Sequence, residues 1–277
     1  YRKPLLDKNG LVILISQSGE TADTLAALRE AKNRQVKTLA IVNVVGSSIA
    51  READNVFYTL AGPEISVATT KAYSAQLIAA YTLALQFAKE RNEIEMPEYE
   101  KLIKELDTLP DKIQEVIDNQ EEIQKFAAKQ AAAKDVFFIG RGIDYAVSLE
   151  GSLKLKEISY IHSEAYAAGE LKHGTISLIE DGTLVIGVLT QDELYEKTIS
   201  NMVECKSRGA YLMGLTTYGN YTVEDTAEFT VYVPKTDAHF MASLAVVPLQ
   251  MLGYYVSVAK GLDVDKPRNL AKSVTVE

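Results

Sequence analysis

Apolar residues recur along this chain in two rhythms. Short unbroken runs stand at residues 11–15 (Leu-Val-Ile-Leu-Ile), 136–139 (Val-Phe-Phe-Ile) and 184–188 (Leu-Val-Ile-Gly-Val). Runs of this length without alternation predict strands buried on both faces. Between them the apolar positions lie three and four apart, as at Leu25 and Leu28, which is the spacing of one helix face. Alternation of the two patterns predicts an α/β fold: doubly wound parallel sheets, flavodoxin-like, in three α/β/α layers.

Displaced by about 173 residues, the pattern falls on itself. Leu11-Val-Ile-Leu-Ile meets Leu184-Val-Ile-Gly-Val, and Leu39-Ala-Ile-Val-Asn meets Leu212-Met-Gly-Leu-Thr. One residue further on, Ala53-Asp54 meets Ala227-Glu228, and Gln76-Leu77-Ile78 meets Gln250-Met251-Leu252. Repeated order at similar spacing means two copies of one supersecondary unit. The second copy opens with the strand at 136–139, a turn at Arg141-Gly142 and a helix through about Tyr160. No such pieces follow Tyr1, so the first copy is expected to be N-terminally truncated and the chain to be part of a longer protein. The expected organisation is a first domain over 1–91, a helical linker over 92–132, a second domain over 133–262 and a C-terminal tail over 263–277. In the linker, Tyr99, Leu102, Ile103 and Leu106, then Ile113, Val116 and Ile117, keep helical spacing; Pro110 is expected to divide it into two helices.

Composition narrows the function. With 47% hydrophobic and 24% charged residues the chain is an ordinary globular protein, and its net charge of −9 argues against nucleic acid as a partner. An anionic ligand therefore needs a local site. Cys205 is the single cysteine, in a helical pattern, where a buried structural thiol is expected. That cysteine count suits a reducing, cytoplasmic setting. Three scattered histidines give no metal-ligand spacing, so no metal is expected. The uncharged run at 240–259 has the length of a membrane span, but Pro248, Gln250 and the repeat favour a buried helix; no membrane partner is expected.

Candidate chemistry lies in three places. After the first strand comes Ser16-Gln-Ser-Gly-Glu-Thr21, at a helix start. Unpaired N–H groups there, with small hydroxyls beside them, suit a phosphate; equally, the serines satisfy only the backbone of a capped turn. On the helix after Arg141, Glu150, Lys154 and Glu157 share one face, either as a solvated ion-pair ladder or as a base with its supporting cation. Near the C-terminus, Lys272 sits on an apolar segment of the kind that is tied down. An amine held in a cleft can attack a ketone.

Five motifs bring these together: Ser16-Gln-Ser-Gly-Glu-Thr, Val67-Ala-Thr-Thr-Lys-Ala, Lys154-Leu-Lys-Glu-Ile-Ser-Tyr-Ile-His, Glu164-Ala-Tyr-Ala-Ala-Gly-Glu-Leu-Lys-His-Gly and Pro267-Arg-Asn-Leu-Ala-Lys-Ser-Val-Thr-Val-Glu. Together they resemble the isomerase half of the glutamine–fructose-6-phosphate aminotransferase family, which consists of two sugar-isomerase (SIS) domains. The resemblance implies an enzyme that converts fructose 6-phosphate to the aldose form, coupled in the whole protein to amination giving glucosamine 6-phosphate, with no cofactor. It implies that Ser16, Gln17, Ser18 and Thr21 bind the phosphate and that Val67, Ala68, Thr69 and Ala271 contact the sugar. Glu157 then moves the proton between C1 and C2, supported by Glu150 and Lys154. Lys272 forms a Schiff base, and His173 assists ring opening from the partner subunit of a homodimer. The resemblance is to the isomerase part alone, so this chain is expected to lack the glutaminase domain of that family. The alternatives are a SIS module that binds sugar phosphate without chemistry and a related SIS deglycase or deaminase. In the second copy, Thr190-Gln-Asp-Glu-Leu stands where the phosphate turn would be; its carboxylates predict a single sugar-phosphate site.

Overall fold

In a computed structural model of the chain, which describes residues 4–272, the apolar runs become parallel strands. The structure divides into two units. One comprises Tyr1–Glu93 with Arg268–Glu277, the other Ile94–Pro267.

The first unit holds β1 (Leu11–Ser16), α1 (Ala22–Asn33), β2 (Lys37–Val42), α2 (Ser48–Glu52), β3 (Asn55–Tyr58) and α3 (Lys71–Glu90). The sheet order is β1-β2-β3, with Leu11 opposite Lys37 and Leu39 opposite Asn55. Leu14, Leu28, Ala40, Val42 and Ile49 form its core. The expectation that residues 11–15 are buried on both faces is corrected: Leu11, Ile13 and Ile15 are 44%, 46% and 50% exposed. β1 is an edge strand, and only its Leu14 face packs on α1 and α2. An apolar run reports hydrophobic demand on both faces, not that both are met.

The second unit begins with α4 (Met96–Asp118) and α5 (Gln120–Gln130). There follow β4 (Asp135–Gly140), α6 (Ile143–Ser159), β5 (His162–Ala167), β6 (Leu184–Leu189), α7 (Tyr195–Lys206), β7 (Tyr211–Thr217), β8 (Phe229–Val233) and α8 (Met241–Ala259). Its sheet is parallel, ordered β5-β4-β6-β7-β8. Here β6-β7-β8 repeats β1-β2-β3, and β6 is buried at every residue because β4 flanks it. The chain turns from β4 to β5 on one side and returns to β6 on the other. That reversal makes the carboxyl ends of β4 and β6 a topological switch point. β5 escapes a reading of the sequence: His-Ser-Glu-Ala-Tyr-Ala is polar, as an edge strand can be.

The expected break at Pro110 is also corrected. α4 runs unbroken through it. Leu102, Leu109 and Val116, seven residues apart, are buried in one stripe against α8, whereas Pro110 is exposed. Interior proline costs about 3 kcal/mol, but on the wet face its freed carbonyl meets water, and packing on the other face spans the defect. The long apolar run becomes α8, mostly buried against α4, α5 and α6. Cys205 is fully buried, and burial pushes its thiol up to about 11.

The start of α6 is fixed by Gly140. A Cβ there would lie 2.5 Å from the Asp144 carbonyl carbon and oxygen and 2.7 Å from the Tyr145 nitrogen. These are backbone atoms of the first helical turn and have no rotamer to yield. Gly140→Ala is expected to cost roughly 1–3 kcal/mol by overpacking, read as a lower urea midpoint at unchanged m-value.

Candidate active site

The turn from β1 into α1 is built around the Ser16 hydroxyl. It is 5% exposed, accepts a hydrogen bond from the Gly19 amide at 3.0 Å and lies 2.9 Å from the Thr21 hydroxyl. The Ser18 hydroxyl accepts from the Glu20 amide at 3.2 Å. Gly19 sits at φ +67°, and a Cβ on it would fall 2.0 Å from Ser47 Oγ, so only glycine fits. Its carbonyl accepts from Ile49, and Glu20 Oε1 accepts from the Ser48 amide at 2.8 Å. The turn is thus joined to the start of α2. Glu20 titrates below the usual carboxylate range because of its bonds with Ser48. Thr21 is the N-cap of α1, yet its side chain caps no amide, being engaged with Ser16. The first turn of α1 is left with amide donors and positive partial charge. Both readings of the serines therefore hold together: Ser16 satisfies backbone, and in doing so shapes a turn suited to an anion.

Beside the turn lies an open cleft of about 620 Å³, lined by Gln17, Ser18, Asn43, Glu64 and Lys272 among others. Lys272 donates to the Ser66 carbonyl and lies 3.4 Å from Thr69 Oγ1. The lysine singled out on the tail thus meets the loop carrying Val67, Ala68 and Thr69, in the same cleft as Gln17 and Ser18. Ala68 is buried, Val67 and Thr69 are half-buried, and Ala271 is exposed. The last five tail residues lie outside the described residues. Glu64 has a structural task as well: Oε2 accepts from the Ala72 amide at 3.0 Å. It caps α3, where the N-cap Thr70 gives no side-chain bond. Asn43 and Glu64 escape the sequence reading, although Asn43 directly follows the β2 run, as Gln17 follows β1.

In the second unit, Glu150, Lys154 and Glu157 form one cluster on α6. Lys154 Nζ lies 3.5 Å from Glu150 and 2.7 Å from Glu157, with side-chain exposures of 6% for Lys154, 12% for Glu150 and 21% for Glu157. A solvated ladder is excluded by that burial. One carboxylate oxygen on each glutamate is buried without a hydrogen bond, so Lys154 compensates them by Coulomb attraction. One cation between two carboxylates leaves a net negative site. Burial raises the Glu150 pKa; Lys154 opposes the shift, and the Glu157 charge adds to it. His173 ends a 3₁₀ turn, Ala168–His173, and is exposed.

At the end of β6 the second copy is closed by its own side chains. Thr190 donates to Asp144 through its amide at 2.8 Å and through its hydroxyl, and Gln191 donates to the Arg141 carbonyl at 2.6 Å. Asp144 is 2% exposed, and burial raises its pKa against the bonds from Thr190 and Gln191. Where the first copy presents hydroxyls and the start of α1, the second places a carboxyl group.

The chain belongs to the SIS domain family, whose sequence pattern matches residues 1–86 and 131–260. Over its whole length it is 58% identical to the glutamine–fructose-6-phosphate aminotransferases [isomerizing] of Clostridium tetani and of Caldanaerobacter subterraneus. It spans about half the length of these relatives, 46% of each. Its fold matches the C-terminal domain of the glucosamine-fructose-6-phosphate aminotransferase from Francisella tularensis, with a TM-score of 0.91 and 38% identity over 96% of this chain and 76% of that one. It also matches a glucosamine-6-phosphate deaminase from Thermotoga maritima, with a TM-score of 0.75 and 28% identity over 98% of this chain and 77% of that one.

The buried cluster gives an asymmetric expectation. Lys154→Met leaves two carboxylates without their cation and is expected to cost about 3–5 kcal/mol. Glu150→Gln removes an acid held above its ordinary value of 4.5. Such an acid lowers stability as pH rises through the window from 4.5 to its raised value, because the folded state there binds more protons than the unfolded one. Glu150→Gln is therefore expected to change stability at pH 7 by less than about 1 kcal/mol and to flatten the decline above pH 4.5. Urea titrations across pH check both.

Proposed function

We propose that the chain performs the sugar-phosphate isomerase chemistry of a glutamine–fructose-6-phosphate aminotransferase. The observation that carries this reading is the meeting of Lys272 with the Ser66–Thr69 segment in a cleft that also holds Gln17 and Ser18. An amine held there supports a reading in which it meets a phosphate-anchored sugar. The names of the similar proteins supply the substrate.

The phosphate of fructose 6-phosphate binds at Gln17, Ser18, Thr21 and the α1 amides, with Ser16 shaping the turn. Val67, Ala68, Thr69 and Ala271 contact the sugar. His173, contributed by the partner subunit of a homodimer, assists ring opening. The Lys272 amine adds to C2, and water leaves to give an imine. Ammonia from a glutaminase domain of the whole protein displaces the lysine. Glu157 then takes a proton from C1 and returns one to C2, giving glucosamine 6-phosphate with no external oxidant. Without ammonia the same transfer converts the ketose to glucose 6-phosphate. Lys154 and Glu150 set the charge around Glu157. The domain limits are those proposed from the sequence, 1–91, 92–132, 133–262 and 263–277, and the setting is cytoplasmic.

The test is conversion of fructose 6-phosphate to glucose 6-phosphate, with borohydride trapping. Glu157→Gln is expected to lower kcat by about 10²–10⁴ with the adduct still trapped on Lys272. Full turnover in Glu157→Gln would remove the base assignment, and label on any other lysine would remove the Schiff base from Lys272.

A further inference from the structure

The Asn43 side chain, which lines the cleft, makes three hydrogen bonds. Its Oδ1 accepts from the Ala61 amide at 2.9 Å and from the Thr59 hydroxyl at 3.1 Å. Its Nδ2 donates to the Gly62 carbonyl at 2.7 Å. Its backbone amide donates to the Gln17 carbonyl at 3.2 Å, in the phosphate turn. A single residue thereby joins the end of β1 to the loop that follows β3.

That loop is under strain. Leu60 lies at φ +54°, in the left-handed region, and is 81% exposed, so its side chain gains little from packing. Such a backbone persists only when its neighbours fix it. Asn43 binds the residues on both sides, Thr59 and Ala61. Beyond Gly62 the chain reaches Glu64, which caps α3 through Ala72, and then Ser66 and Thr69, which hold Lys272. The second copy supplies a contrast. In the strand register Thr217 stands at the position of Asn43, and its hydroxyl accepts from the Asn220 side chain at 3.2 Å, in the turn directly after β7.

We infer that Asn43 is a positioning residue for the proposed reaction: by fixing the strained loop at Thr59–Gly62 it sets where the Lys272 amine meets the bound sugar. This rests on the isomerase reading above. The backbone bond to Gln17 does not depend on the side chain, so phosphate capture and amine placement separate. Kinetics would show this as a loss in kcat without a matching loss in affinity for the phosphate end.

The experiment uses the 277-residue chain. Asn43→Ala and Asn43→Thr are compared with the unsubstituted protein for fructose 6-phosphate conversion, borohydride-trapped adduct and affinity for glucitol 6-phosphate, which has a phosphate but no carbonyl. Conversion and adduct yield are expected to fall at least about tenfold, while glucitol 6-phosphate affinity stays within about twofold. Asn43→Thr carries the test should alanine prevent folding. Leu60→Gly added to either variant is expected to restore part of the rate, since glycine takes φ +54° without strain. Unchanged kcat overturns the inference, as does a loss of glucitol 6-phosphate affinity in step with kcat. No conversion and no adduct in the unsubstituted chain overturns the isomerase reading itself and this inference with it.

Discussion

The Ser16 hydroxyl settles what the end of β1 can be. Buried and bonded to the Gly19 amide and the Thr21 hydroxyl, it closes a turn too tight for any residue but glycine at position 19. Because Thr21 is engaged there, it does not cap α1. The helix start keeps donors that would otherwise be used internally. An apparently structural bond thus creates the binding potential of the turn, and the bonds to Ser48 and Ile49 make the turn rigid.

One supersecondary frame carries opposite chemistry in its two copies. At the end of β1 the frame presents hydroxyls and amides; at the end of β6 the same position is filled by Thr190 bound to the buried Asp144. The second copy has instead buried an ionic cluster on α6. Taking Glu150, Lys154 and Glu157 out of water is costly, and hydrophobic packing in their place would serve stability as well or better. Groups retained at such cost are candidates for chemistry, and the raised Glu150 pKa shows how little solvent compensates them.

Much of this was legible in the sequence, for identifiable reasons. Parallel strands carry continuous apolar runs, so β1, β4 and β6 stood out; the repeat then tied β2 and β7 to them. Glu150, Lys154 and Glu157 were placed on one face by helical spacing alone. What stayed hidden depends on tertiary context. The exposed face of β1 and the continuity of α4 through Pro110 are decided by what lies against them. The polar edge strand β5 has no periodic signal. Asn43 and Glu64 act through a loop whose path no local pattern specifies, and Leu60 gives no hint of its left-handed backbone.

In the proposed reaction the strand-to-helix turn at residues 16–21, and not its counterpart after β6, receives the phosphate of the sugar. A crystal structure of the chain with glucose 6-phosphate tests this most directly. The expected result places the phosphate within hydrogen-bonding distance, about 2.7–3.2 Å, of the Ser18 and Thr21 hydroxyls and the first amides of α1. A phosphate seated beside Thr190, or held away from residues 16–21 altogether, would contradict it.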